Sequence, residues 1–259
     1  MRYSYITTLS TETYLPGVLA LWISLKKVHS EYSLACMCSK DISERTKLIL
    51  TKSNIEVITI PERIIHIKDI NQLEEYSHWT FTFYKLYAWS QVQYNKLILL
   101  DSDMMILQNI DHLFGQKDGS AVISDCYNEP DCRELNSGLM VIQPSTEIFR
   151  QMIQILSENA IRKENMGDQD IIRFFYEDWA SKKDLHLPIY YNCYYSDNQK
   201  ICKSSLIKVI HFIGKKKPWQ YSFRAIYRRI RMYGGSAFLI KYLTIIRMNQ
   251  IKIKLFGHI

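Results

Sequence analysis

The sequence predicts an α/β domain built on a mixed, mostly parallel sheet, and two observations predict it. Strand-like and helix-like segments alternate along most of the chain, the order that yields strands joined by helical crossovers. The 259 residues are 47% apolar and 23% charged, a globular composition long enough to bury a sizeable core. No internal repeat or low-complexity linker divides them.

Taken in order, "YSYITTL" (3–9) is a first strand, and "PGVLALWISLKKVH" (16–29) has helical periodicity with Pro16 near its start. "SLACMCS" (33–39) and "IEVITI" (55–60) are strands on either side of the helical "SERTKLILTKSN" (43–54). The aromatic-rich "WTFTFYKLYAWSQVQ" (79–93) predicts a helix leading into the strand "KLILL" (96–100). "GSAVIS" (119–124) and "GLMVIQ" (138–143) are further strands. They precede two helices, "PSTEIFRQMIQILSENA" (144–160) and "DQDIIRFFYEDWA" (168–180). "LPIYYN" (187–192) and "IKVIHF" (207–212) are expected to close the body as its last strands.

Charge divides the chain unequally. Fourteen Lys and Arg and no acid lie from Asn198 onward; without them the chain's 33 basic residues fall to 19, set against all 26 acids. A net charge of +7 therefore hides an acidic body and a basic tail, which should meet different partners. No leading segment has the pattern of a signal peptide, and no run reaches the ~18 uninterrupted apolar residues of a membrane span. Cys36, Cys38, Cys126, Cys132, Cys193 and Cys202 form no CxxC pair. They predict buried thiols in a reducing compartment, hence a cytoplasmic protein.

One strand ends oddly. The aliphatic run 97–100 stops at Asp101-Ser102-Asp103. An ordinary strand-end turn uses such residues. A cation site does so too, because residues i and i+2 of an extended segment share one side. Ligands of open α/β sheets sit beyond the carboxyl ends of strands, where both this pair and His211 fall. No GxGxxG turn or GxxxxGK[ST] loop is present, so any nucleotide phosphates must be held by other means, such as a metal. Two carboxylates and an imidazole, completed by phosphate oxygens, suit Mn²⁺ better than Ca²⁺. Lys217, six residues beyond His211, can pair with a phosphate or stand as a solvated lysine.

The ordered strings "DSD" (101–103), "NSG" (136–138), "GDQD" (167–170) and "HFIGKKKPW" (211–219) resemble family 8 of the retaining, metal-dependent nucleotide-sugar glycosyltransferases. That family includes glycogenins, plant galactinol synthases and bacterial lipopolysaccharide galactosyl- and glucosyltransferases. Each string is common alone; the four in this order and spacing are specific, and the similarity runs from about Tyr5 to Trp219. The resemblance implies a Rossmann-like, GT-A-type domain over residues 1–219. It implies that Asp101, Asp103 and His211 bind Mn²⁺, or Mg²⁺ as the alternative, bridging the diphosphate of a UDP-sugar. Ser102 would lie against the ribose. Thr8, Ser10 and Thr11 would line the nucleoside, with Tyr14 stacking on uracil. Lys85 would reach the sugar or diphosphate, Asn136 and Ser137 would bind the donor sugar, and Gly138 would leave it room. Asp168 and Gln169 would face the anomeric carbon, and Gly214 and Lys217 would close on the diphosphate. The chain departs from the glycogenin pattern near Tyr76, where an arginine is usual, and at Asn165, where an aspartate is; both changes touch the donor-sugar side.

Residues 220–259 form the basic remainder. Ile226, Tyr227 and Ile230 fall near one helical stripe, Arg224, Arg228 and Arg231 on another, and Gly234-Gly235 breaks the segment before a more apolar stretch. Basic amphipathic helices of this kind predict docking on an anionic membrane surface, here the inner face. The competing readings are a helix packed on the body and a nucleic-acid patch; the last is set aside. The expected acceptor is a glycan or glycolipid, such as lipopolysaccharide or another surface polysaccharide. Two alternatives remain. One is glycogenin-like self-glucosylation within "IYYNCYYSD", which holds Tyr190, Tyr191, Tyr194 and Tyr195; the other is a non-catalytic UDP-sugar-binding protein. An aspartyl-phosphate phosphatase is disfavoured, since Met104 and Met105 follow the aspartates in place of the usual Thr or Val.

Overall fold

The structure is a computed structural model that describes residues 1–61, 79–123, 134–159, 167–194, 206–214 and 217–220. Its strands in chain order are β1 (Tyr3–Leu9), β2 (Leu34–Cys38), β3 (Glu56–Thr59), β4 (Lys96–Leu100), β5 (Met104–Ile106), β6 (Ser120–Ile123), β7 (Leu135–Ile142), β8 (His186–Leu187), β9 (Cys193–Tyr194) and β10 (Val209–His211). The helices are α1 (Leu15–Lys27), α2 (Glu44–Lys52), α3 (Thr146–Asn159) and α4 (Asp168–Phe175).

Seven strands form one sheet in the order β3-β2-β1-β4-β7-β6-β8. The pairs β1–β2, β2–β3, β1–β4 and β6–β8 are parallel, while β7 runs antiparallel to both β4 and β6. The central strands are apolar at successive positions because both faces are covered. Tyr5, Ile98, Leu100 and Leu139 point into the core shared with α1 and α2. Their neighbours Ile6, Leu97, Leu99 and Met140 point to the opposite face, under the 79–90 segment, α3 and α4.

A second, three-stranded sheet, β5-β10-β9, packs on the outer side of α1. Ala20 of α1 shares a cluster there with Met105, Ile210 and Phe212, and the backbone N–H of Ile106 donates to Ser24 Oγ at 3.0 Å. Helix α1 is thus sandwiched between two sheets, which is why every residue from Gly17 to Trp22 is buried.

Several expectations are corrected in detail. The segment Trp79–Ser90 is helical but wound as 3₁₀ turns. The helix starting at Asp168 ends at Phe175 and gives way to a 3₁₀ turn, Glu177–Ser181. "LPIYYN" is not one strand: Pro188 has no N–H for a ladder, and the chain there makes β8, a 3₁₀ turn at Ile189–Tyr191, and β9. The expected last strands belong mainly to the second sheet. The departures at Tyr76 and Asn165 and the basic segment beyond Gln220 lie outside the described residues. Cys36, Cys38 and Cys193 are buried thiols, as expected; the other three cysteines also lie outside. Among the described residues, no helix is long and apolar enough to cross a membrane.

Candidate active site

The site forms where the two sheets meet at the carboxyl ends of β1 and β4. The turn Asp101–Asp103 leaves β4 and returns at once as β5, with Met104 N–H donating to Asp101 C=O at 3.2 Å. The first turn of α1 packs against it as closely as atoms allow: a Cβ on Gly17 would fall 2.4 Å from the carbonyl oxygen of Ser102. Glycine at the start of α1 therefore lets the helix seat directly against the acidic turn.

Pairing of β4 with β7 supplies the second group of residues. Leu100 sits opposite Leu139, and Asp101 N–H donates to Gly138 C=O at 2.9 Å. Against β6 the register jumps, so that Ala121 faces Met140 while Val122 faces Asn136. Residues 137–139 are extra on β7, a bulge that aims Ser137 and its neighbours into the site.

A cleft of about 400 Å³ is lined by Thr8, Ser10, Thr11, Tyr14, Thr82, Lys85, Asp101, Ser102, Asp103 and Asp168. Of these only Thr82 lies outside the residues picked from sequence; its Oγ1 accepts from Asp168 N–H at 3.3 Å. Tyr14 meets Trp219 edge-on, with ring centroids 5.5 Å apart, and the indole donates to Thr13 C=O at 2.9 Å. The chain after β10 is thereby tied to the loop after β1.

Charged groups are arranged in two linked sets. Lys85 Nζ lies 2.7 Å from Asp101 Oδ1 and 2.8 Å from Asp168 Oδ2. Ser137 Oγ is 3.3 Å from Lys85 and 3.4 Å from Asp168, and its backbone N–H donates to Gln169 Oε1 at 3.0 Å. In the other set, His211 Nε2 faces Asp103 Oδ1 at 3.2 Å and Asp101 Oδ2 at 3.6 Å. Lys217 Nζ donates to Asp103 Oδ2 at 2.6 Å and to Phe212 C=O at 3.0 Å.

Surroundings split the two aspartates. Burial pushes the Asp101 carboxyl up, only partly offset by Lys85 and by the protonated form of His211. Burial acts on Asp103 as well, but Lys217 and the protonated form of His211 outweigh it and hold that carboxyl well below the usual range. Lys85 is desolvated, yet Asp101 and Asp168 keep it firmly protonated.

The donor set fits a divalent ion. Asp101, Asp103 and His211 each offer one ligand atom, and these lie within 4.8 Å of one another. With His211 neutral, as a metal ligand must be, the three carboxylates meet two ammonium groups among the described residues, Lys85 and Lys217, which leaves one negative charge in this set for a cation to neutralise.

Gly214 is the one sequence-selected residue that does not join the cluster. It is exposed, with φ +102°, a conformation that suits glycine. Asn136 joins indirectly: its Oδ1 accepts from Gly138 N–H and Asn192 Nδ2, and its amide donates to the Tyr194 hydroxyl. Asn192 and Tyr194 were not singled out for this place; Asn192 carries no sequence signal beyond its position just before β9.

A two-sided sheet with a metal-competent acidic turn at its strand ends defines a GT-A glycosyltransferase fold. The galactosyltransferase LgtC, solved with donor and acceptor sugar analogs, superposes with a TM-score of 0.65 at 14% identity over 96% of each chain. The glycosyltransferase GlyE of Streptococcus pneumoniae TIGR4 gives 0.60 at 18% identity, over 97% of this chain and 64% of that one.

The chain belongs to glycosyltransferase family 8, whose sequence model, Glycosyl transferase family 8, matches residues 5–222. It is 31% identical to glycogenin-1 of Oryctolagus cuniculus over 247 residues, covering 89% of this chain and 69% of that protein. Against glycogenin-1 of Homo sapiens the identity is 31% over 236 residues, 85% of this chain and 63% of the relative. Galactinol synthase 1 of Solanum lycopersicum is 26% identical, over 85% of this chain and 74% of its own.

Proposed function

We propose that this chain is a UDP-sugar-dependent hexosyltransferase. It moves glucose or galactose to a hydroxyl of a glycan acceptor with retention of the α configuration. The observation that carries the reading is the convergence of Asp101, Asp103 and His211 beside a cleft that Thr8, Ser10, Thr11 and Tyr14 also line. At about 400 Å³ the cleft has room for part of a nucleotide beside a divalent ion.

Mn²⁺ is the metal favoured by the mixed carboxylate and imidazole donors, with Mg²⁺ the alternative. When bound, such an ion supplies Lewis-acid stabilisation of the charge that grows on the departing diphosphate. Lys217 adds a second positive charge at the same place. Thr8, Ser10, Thr11, Tyr14 and Ser102 hold the nucleoside, and Lys85, Asn136 and Ser137 hold the sugar end. Asp168 is ion-paired to Lys85 at 2.8 Å and faced by Ser137, which blunts its nucleophilicity. Gln169 is a neutral amide engaged by Ser137 N–H. Neither is suited to form a covalent glycosyl intermediate. The acceptor hydroxyl therefore attacks on the face that the diphosphate leaves, with Asp168 and Gln169 positioning the sugar. The basic residues 220–259 dock the enzyme on an anionic membrane surface, where a lipopolysaccharide-type acceptor is held.

The test is UDP release from UDP-glucose, UDP-galactose and UDP-N-acetylglucosamine, with and without Mn²⁺, for wild type and Asp103→Asn. Release from one donor that disappears without metal and in the variant supports the assignment. No release combined with no UDP binding overturns it.

A second reading, self-glycosylation, has one observation in its favour. The Tyr194 hydroxyl lies against Asn136 Nδ2, and its ring is edge-on to His211 with centroids 5.8 Å apart. Tyr191, by contrast, is buried with its hydroxyl 2.6 Å from His112 Nε2. Intact mass of the purified chain after incubation with donor decides, with peptide mapping to place any addition: added hexose units within residues 190–195 support this reading, and an unchanged mass removes it.

A further inference from the structure

Beside the metal-competent trio runs a chain of three hydrogen bonds in which only one donor assignment is fixed by chemistry, and it fixes the others. The backbone N–H of Gly138 reaches Asn136 at 2.8 Å. A backbone N–H can only donate, so the Asn136 atom it meets is the oxygen. That same oxygen lies 2.6 Å from Asn192, whose contacting atom must then be the amide nitrogen. The other end of the Asn192 amide is consequently its oxygen, and it lies 2.9 Å from His211 Nδ1. An amide oxygen accepts, so Nδ1 carries the proton. In the neutral imidazole, Nε2 is left with a lone pair, aimed at Asp103 and Asp101.

We propose that Asn192 is a positioning residue that, relayed from Gly138 through Asn136, locks His211 in the Nδ1–H tautomer and so reserves Nε2 for a divalent cation. The inference rests on reading Asp101, Asp103 and His211 as a metal centre. Without the relay the preference reverses, because an Nε2–H would donate to the Asp103 carboxylate at 3.2 Å and cover the face a cation needs. Burial sharpens the choice: Asn192 is 1% exposed and Asn136 6%, so water does not compete for these groups. Outer partners of this kind orient metal-binding histidines and raise their affinity about 10–100-fold.

The test uses side-chain ¹⁵N NMR of His211 in the metal-free full chain at a pH where the imidazole is neutral, and Mn²⁺ titration followed by EPR. The variant is Asn192→Leu, near in size but without either amide function. Expected are Nδ1–H in the wild type, Nε2–H in Asn192→Leu, and Mn²⁺ affinity weaker by about tenfold or more in the variant. An Nε2–H wild type overturns the proposal whether or not the variant folds, as does a variant with unchanged tautomer and unchanged affinity. Absence of Mn²⁺ binding in a wild type that shows Nδ1–H overturns the metal reading beneath it.

Discussion

Lys217 and Asp103 are joined by a buried 2.6 Å contact, so the ammonium assigned to a diphosphate neutralises a carboxylate assigned to the metal. The lysine is also held by Phe212 C=O, and neither side chain is more than 10% exposed. A divalent ion arriving alone must approach this cation, whereas one arriving with a diphosphate gives Lys217 a new partner. Metal and nucleotide should therefore bind cooperatively. Lys217→Met is expected to weaken UDP binding by about tenfold or more, the worth of a charge-assisted hydrogen bond. Mn²⁺ affinity without nucleotide should stay the same or rise. Calorimetry of both ligands checks this, and equal losses for both would rule out the competition.

Lys85 links the acidic turn to α4 through Asp101 and Asp168. Removing one partner of a buried ion pair leaves charge without compensation, at a cost of about 3–5 kcal/mol. Lys85→Ala should accordingly lower the urea unfolding midpoint well beyond the effect of an exposed Lys→Ala such as Lys52→Ala. A midpoint shift no larger than that control would show the cluster to be well solvated.

Asp168→Asn separates chemistry from nucleotide binding. The variant retains a polar group beside Lys85 and Ser137 but loses the charge facing the sugar. Turnover should drop about tenfold or more, while UDP affinity changes little. Intact turnover would remove Asp168 from the mechanism.

What the sequence made legible follows from how far apart the contributing residues lie. β4 is visible because a strand covered on both faces is apolar at successive positions, Leu97 to Leu100, and β1 because its aromatic and β-branched residues suit a strand. The strings 101–103 and 136–138 are visible as strings, but not their contact, which depends on β7 running antiparallel to β4. Asn136 and Ser137 read as loop residues ahead of a strand starting at Gly138, although β7 already begins at Leu135. Their polar side chains are tolerated inside it because the bulge turns them toward partners. The 3₁₀ winding of Trp79–Ser90 was hidden because an aromatic-rich segment satisfies periods of 3.0 and 3.6 alike. Asn192 was hidden most thoroughly, since its role arises only when three distant segments meet at His211.

Gly138 has a use beyond leaving room for a sugar. A Cβ there would lie 2.9 Å from each of Asn136 Oδ1, His211 Cε1 and Met104 Cε. Gly138→Ala must displace the imidazole or the amide that orders it. Overpacking of this kind costs about 1–3 kcal/mol. The expected result is a measurable fall in unfolding free energy together with weaker Mn²⁺ binding. Lost stability with unchanged metal affinity would mean that Met104 alone gives way.

Acid sensitivity should originate partly far from the cleft, at Asp111. Its carboxylate accepts from the Tyr5 hydroxyl at 2.5 Å, Ser30 Oγ at 2.7 Å, Glu31 N–H at 2.9 Å and Asn109 Nδ2 at 3.2 Å. Burial pushes this carboxyl up, but the four donors outweigh it and set its pKa below the ordinary value. A group depressed in the folded state contributes stability that is complete above its unfolded pKa of about 3.9 and is lost as pH falls through the folded value. Glu12, held by Ser43 N–H and Thr46 Oγ1, has the same sign, so the two share the acid limb. Asp111→Asn should lower stability at neutral pH and flatten the decline below about pH 4, leaving the contribution of Glu12 in place. Urea unfolding between pH 7 and pH 3 measures both. If the variant's curve runs parallel to the wild type's, the hydrogen bonds at Asp111 are equally strong to the protonated acid, and the acid limb must be assigned elsewhere.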